Sequence, residues 1–125
     1  MKRVQFDMEF LFKASPAIVY KFLTTPDCLI RWFCDKVDIN QDIYTFTWDG
    51  ADEEADLVDD FEEEYLKFRW HGADETEFLE FKMYITEVAR DTVLEIHDWC
   101  DDDEVEEMKQ LWSSQMERMR QEMGG

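Results

Sequence analysis

The chain has 125 residues, with 32 acidic and 13 basic side chains and a formal net charge of -19. Hydrophobic residues at 45% and aromatics at 15% exclude a disordered chain, and the length allows one core rather than two, so residues 1–125 are expected to form a single domain. Such a charge repels phosphate backbones and anionic lipid surfaces, which excludes nucleic acid as an expected partner; it suits a basic protein partner, or simply keeps the surface solvated.

From Arg3 to Lys13 apolar residues alternate with Gln5, Asp7 and Glu9, the pattern of a half-buried strand. No apolar stretch of signal-peptide or membrane-span length occurs, and three cysteines (Cys28, Cys34, Cys100) form no disulfide framework, so a cytoplasmic location is expected. Ser15 and Pro16 have the chemistry of a helix cap and first turn, with Ile18, Val19, Phe22 and Leu23 as the buried face. Thr25-Pro26-Asp27 interrupts that helix and starts a second, ending near Trp32-Phe33.

Strand-length runs follow at Lys36–Asn40, Ile43–Trp48, Ala55–Phe61, Tyr65–Trp70, Thr76–Glu87 and Thr92–Trp99. Asn40-Gln41-Asp42, Asp49-Gly50, His71-Gly72-Ala73-Asp74 and Arg90-Asp91 are turn sequences short enough to join antiparallel neighbours, so a meander is expected. Parity assigns Tyr44, Phe46, Trp48, Leu66, Phe68, Trp70, Leu79, Phe81, Met83 and Ile85 to the inner wall. Acidic residues on both sides of Ala55–Phe61 leave its register undetermined, because a one-residue slip reverses every side chain.

The last element is an amphipathic helix from about Asp103 to Met123, with the stripe Val105, Met108, Trp112, Met116, Met119, Met123. Asp103 and Glu106 have capping-box spacing, and the acids from Asp101 suit the helix dipole. Gly124 ends it.

The ordered elements, with Lys13-Ala14-Ser15-Pro16, Leu23-Thr24-Thr25-Pro26 and Arg31-Trp32-Phe33, resemble the START-like, helix-grip superfamily, whose relatives include birch-pollen-allergen-like proteins, polyketide cyclases and the activator of heat-shock protein 90 ATPase. Phe46-Thr47-Trp48-Asp49-Gly50, Phe68-Arg69-Trp70 and Lys109-Gln110-Leu111-Trp112 are similar to a small bacterial START-like group, and the resemblance runs nearly end to end. It implies an α+β fold in which a strand, two short helices and a curved antiparallel sheet grip a long C-terminal helix over a cavity. It does not imply one activity, since the superfamily includes apolar-ligand binders, cyclases and protein-interaction modules.

The chemistry expected of the residues themselves is binding. His71 sits in a turn and His97 near a strand end, with His97 and Asp98 sent to opposite faces, so no catalytic set converges. No zinc-type cysteine spacing or calcium loop occurs, and neither a metal nor a cofactor is expected beyond adventitious calcium at the acidic runs. Asp98 shares its parity with Leu94 and Ile96, which would raise its pKa on an inner face, but the simpler reading is a strand end that leaves Asp98 solvated or bound to the following turn.

Large apolar residues on inner faces build a filled core as readily as a pocket, and both alternatives stand. The leading expectation is non-enzymatic binding of an apolar small molecule or lipid, with Phe46, Trp48, Phe68, Trp70, Phe81 and Met83 as wall, Trp112 and Met116 as lid, and Asp98 or indole donors orienting the ligand. The alternative is a co-chaperone-like module whose acidic runs Asp52–Glu64 and Asp101–Glu107 dock a basic protein. A cyclase or hydrolase of an apolar substrate, resting only on Asp98 and His97, comes third. Either a monomer or a homodimer paired through an exposed strand edge fits the pattern.

Overall fold

The computed structural model describes residues 2–124. Its elements run β1 (Arg3–Phe12), α1 (Pro16–Thr24), α2 (Pro26–Trp32), β2 (Lys36–Asn40), β3 (Ile43–Trp48), β4 (Ala51–Phe61), β5 (Tyr65–Trp70), β6 (Leu79–Ile85), β7 (Thr92–Asp101) and α3 (Val105–Met123). The strands form one antiparallel sheet in the order β1-β7-β6-β5-β4-β3-β2. Five hairpins build the meander from β2 to β7, while α1 and α2 carry the chain from β1 at one edge to β2 at the other.

Local chemistry explains the boundaries. Ser15 is extended and its Oγ accepts from the Ile18 amide at 3.4 Å, with Pro16 behind it where no donor is needed. Val19, Phe22 and Leu23 form the buried face of α1, whereas Ile18 lies outside it at 40% exposure. Thr25 ends α1 and precedes α2 without a side-chain cap. Asp49 and Gly50 both take positive φ, which gives a tight two-residue hairpin, so β4 resumes at Ala51 rather than at Ala55 as the sequence suggested.

The acids of β4 obscured that start because its outward face is solvated: Asp52 and Glu54 are exposed, and Asp56 and Asp59 stand opposite Arg69 and Lys67 of β5. A bulge between Leu57 and Asp59 supplies the parity slip that a simple alternation cannot describe. Beyond it, Asp60 turns to the helix side and accepts from the Tyr20 hydroxyl at 2.7 Å.

β6 is shorter than Thr76–Glu87. The Asp74 carboxylate captures both the amide and the hydroxyl of Thr76, holding that end in a turn. At the other end Thr86 and Asp91 close the β6–β7 connection through reciprocal hydrogen bonds. β7 runs past Trp99 to Asp101 because β1 starts at Arg3, whose register partner is Asp101. Asp101 is therefore still in the ladder, and the turn closed by the Glu104 amide on the Asp101 carbonyl precedes the helix. The N-cap of α3 falls on Glu104 with no side-chain bond, so the capping box expected of Asp103 and Glu106 does not form. The Gly124 cap at φ 86° is left-handed, as a glycine stop allows.

The inward sheet face and the stripe of α3 meet in the core. Phe12, Val19, Leu66, Leu94, Ile96, Met116 and Met119 are its most completely buried apolar side chains. Thr92 is buried with them and donates to the Ala14 carbonyl at 2.6 Å, which satisfies its hydroxyl.

Candidate functional site

One open space in the protein lies at one end of the sheet–helix sandwich. An open groove of about 500 Å³ is lined by Phe33, Trp48, Glu53, Trp70, Leu79, Asp98, Met108, Leu111, Trp112 and Gln115. That volume falls in the range of small-molecule sites, roughly 300 to 1,000 Å³. Deeper between sheet and helices is a void of about 20 Å³ against Phe46, Phe68 and Phe81, with Phe33, Trp70 and Leu79 shared by both spaces. A void of that size accommodates a water molecule, which needs about 10 to 15 Å³, and nothing larger.

The residues singled out from the sequence therefore divide. Trp48, Trp70, Asp98 and Trp112 line the groove. Phe46, Phe68 and Phe81 are buried behind it around the small void. Met83 and Met116, 3% and 0% exposed, pack in the core and border neither space. The inner wall is largely a filled core, and the usable room is displaced toward its mouth.

Four aromatic rings form an arc along the groove, with Phe33 as its hub. Its ring meets Trp48 edge-on at 5.2 Å between centroids and stacks near-parallel with Trp112 at 6.3 Å, and Trp48 stands 6.3 Å from Trp70. Phe33 reaches this position because it ends α2, where its amide bonds Leu29 and its carbonyl accepts the Trp48 indole N–H at 2.6 Å. Trp32 beside it is fixed by a 2.9 Å bond from its indole to the Phe22 carbonyl. From α3, Met108, Leu111 and Gln115 line the groove at spacings of three, four and seven residues.

Asp98 is not the solvated strand end expected of it. It lies three residues inside the end of β7, on the inward face with Leu94 and Ile96. Its Oδ2 accepts the Trp112 indole N–H at 3.0 Å, and its Oδ1 accepts the Trp99 amide. Burial pushes its pKa above the ordinary carboxylate range, partly offset by these two donors and by the charge of Arg3. Arg3 is itself held by Glu77 at 2.7 Å and Asp101 at 3.1 Å.

His97 faces the other way, with Nδ1 2.5 Å from Asp7 and Nε2 3.2 Å from Glu95 on the outer side of the sheet. No serine, cysteine or histidine is among the described residues that line the groove, so a nucleophile–base pair is not assembled there. The three cysteines are buried and free, and burial pushes the Cys34 thiol up to about 11. The carboxylates of Asp101, Asp103 and Glu104 gather at the foot of α3, in the turn that begins the helix.

Sequence reasoning passed over Phe33, Glu53, Leu111 and Gln115, and placed Leu79 on the inner wall and Met108 on the helix stripe without assigning them to the groove. Leu111 and Gln115 were legible as the flank of the Met108–Trp112 stripe. Glu53 was hidden by the uncertain register of β4, where it stands opposite Phe46 and shares the inward side.

A seven-stranded antiparallel sheet closed by a long C-terminal helix defines the helix-grip class of α+β folds. The chain belongs to the START-like superfamily, whose domain profile matches residues 1–125. A Bacteroides fragilis protein solved in solution is similar to it at 31% identity, covering 98% of this chain and 93% of that one, with a TM-score of 0.70. The Aha1 dimer of Colwellia psychrerythraea is similar in fold at 16% identity, covering 94% and 93%, with a TM-score of 0.78. A conserved Enterococcus faecalis protein of unknown function is similar at 21% identity, covering 95% and 70%, with a TM-score of 0.73. No curated protein matches the chain. Among the described residues no helix is long and apolar enough to cross a membrane.

Proposed function

We propose that the protein binds an apolar small molecule, or the apolar part of a lipid, in the groove between the mouth of the sheet and α3, without transforming it. The observation that carries this reading is a space of ligand size lined by three tryptophans, Phe33, Leu79, Met108 and Leu111. A monomer leaves such a surface wet unless something covers it, and large apolar concavities are the usual sites of small-molecule binding. Trp48 and Trp112 direct their indole donors to the Phe33 carbonyl and to Asp98, which holds the rings in place before any ligand arrives.

Native mass spectrometry of protein purified from its own host, followed by denaturation and analysis of what is released, tests this directly. A reproducible apolar adduct supports the reading. A clean apo mass, together with no measurable affinity for short alcohols or fatty acids, contradicts it.

A second reading is docking of a basic protein on the acidic outer side of β4. Asp52 and Glu54 are exposed there, and Glu62, Glu63 and Glu64 continue the charge around the β4–β5 turn. Capture of such a partner has to weaken steeply with salt, because exposed charges are screened beyond about 8 to 10 Å at physiological ionic strength. Salt-indifferent capture counts against it. The strands β1 and β2 form the two sheet edges, and pairing of either with a second copy is the route to a homodimer, which sedimentation velocity resolves.

A further inference from the structure

We infer that the groove selects a cationic amphiphile, a ligand with an amine or quaternary ammonium head on an apolar body. This rests on the small-molecule reading above and adds the charge of the ligand to it. The groove pairs an aromatic arc with carboxylates of one sign: Glu53 is exposed at its rim on β4, and Asp98 lies at its inner end on β7. No basic side chain is among the described residues that line it.

The indoles reinforce that choice. The N–H groups of Trp48 and Trp112 are already bonded within the protein, so of the three indoles lining the groove only that of Trp70, among the described residues, keeps a donor for an anionic or acceptor-rich ligand. What those rings still offer is π surface, which attracts cations within about 6 Å of a ring centroid. Adjacent rings of the arc stand 5.2 to 6.3 Å apart, so one head group seated on the groove side lies within reach of two of them. The apolar body then runs against Leu79 and the Met108–Leu111 side of α3.

Arg3, the basic residue whose charge reaches Asp98, does not reverse the sign. Its guanidinium bridges Glu77 and Asp101, so the three groups together remain negative. A cation entering the groove meets the carboxylates of Glu53 and Asp98 in surroundings partly shielded from water, where charge attraction exceeds its value in bulk solvent.

Calorimetric titration with octyltrimethylammonium, 1-octanol and octanoate separates charge from apolar burial, because the three probes share one chain length. The cation is expected to bind about tenfold more tightly than the alcohol, and octanoate more weakly than either. Glu53→Gln, at an exposed position, and Asp98→Asn should each remove most of that preference, read as the ratio of cation to alcohol affinity within each variant, and Asp38→Asn on the far side of β2 should leave the preference intact. Equal affinity for cation and alcohol overturns the selectivity and leaves the apolar groove standing. So does a preference that Asp38→Asn lowers as much as Glu53→Gln, since that result assigns it to net surface charge. Failure of all three probes to bind overturns the small-molecule reading itself, and the selectivity with it.

Discussion

Replacing Trp112 with Phe removes one hydrogen bond from the groove while keeping an aromatic ring between Phe33 and Phe81, its neighbours at 6.3 and 5.9 Å. The bond lost is the 3.0 Å indole N–H to Asp98, a neutral donor on a buried carboxylate. Such a bond contributes about 1.5 to 3 kcal/mol, and the smaller ring adds a packing loss of roughly 1 kcal/mol. A double-mutant cycle with Asp98→Asn isolates the first effect, with an expected coupling of about 1 to 2 kcal/mol from urea unfolding near neutral pH.

The pH dependence gives the reasoning a second, independent check. Burial raises the Asp98 pKa, so its protonated form contributes stability that is complete below the unfolded value, about 3.9, and is lost as pH rises through the folded value. The Trp112 donor lowers that folded pKa, so Trp112→Phe raises it further and steepens the loss. Destabilisation by Trp112→Phe should therefore grow across the range in which pH rises above the unfolded value and through the raised folded one. Additive single variants, or a destabilisation that stays flat across that range, would refute the placement of Asp98 as a buried acceptor.

Leu111→Trp places bulk in the groove from a side chain that is 51% exposed, and should lower octanol affinity about tenfold by calorimetry while changing stability by less than about 0.5 kcal/mol. Met116→Trp, which sequence reasoning would choose to fill a cavity, instead overpacks a fully buried site, and urea melts should show a loss of about 1 to 3 kcal/mol. Gly50→Ala meets no neighbouring atom within 4 Å, so its cost is confined to a backbone at φ +80° and should be about 1 to 2 kcal/mol by the same melts. The buried thiols, with Cys34 pushed up to about 11, should react slowly with a thiol reagent at pH 8 in the folded protein and all at once in urea.

Much of the fold was written in the periodicity. Alternation from Tyr44 to Trp48 and from Leu66 to Trp70 assigned the inward faces, and the Met–Trp stripe assigned the buried face of α3, because one-sided burial leaves a two- or 3.6-residue signature. β4 resisted because its bulge changes parity mid-strand and its outward acids resemble a loop. The start of α3 was misplaced because pairing of Arg3 with Asp101 is a long-range constraint that no local capping pattern reveals.

The groove was half legible for a related reason. Trp48, Trp70, Asp98 and Trp112 were named, but parity says which side of a sheet a residue faces and not how far along it the core stops. Phe46, Phe68, Phe81 and Met116 face the right way and are simply packed. Phe33 was the hardest to see, since its role comes from a helix terminus that aims one ring between two tryptophans contributed by β3 and α3.

The five indole N–H groups of a nitrogen-15-labelled sample report on five places at once, and titrating that sample with 1-octanol tests the groove most directly. The account predicts that the indole resonances of Trp48, Trp70 and Trp112 shift together and saturate with one affinity, while that of Trp99, on the outward face of β7, stays in place. Saturating shifts that bypass these three, or none at millimolar octanol, would contradict it.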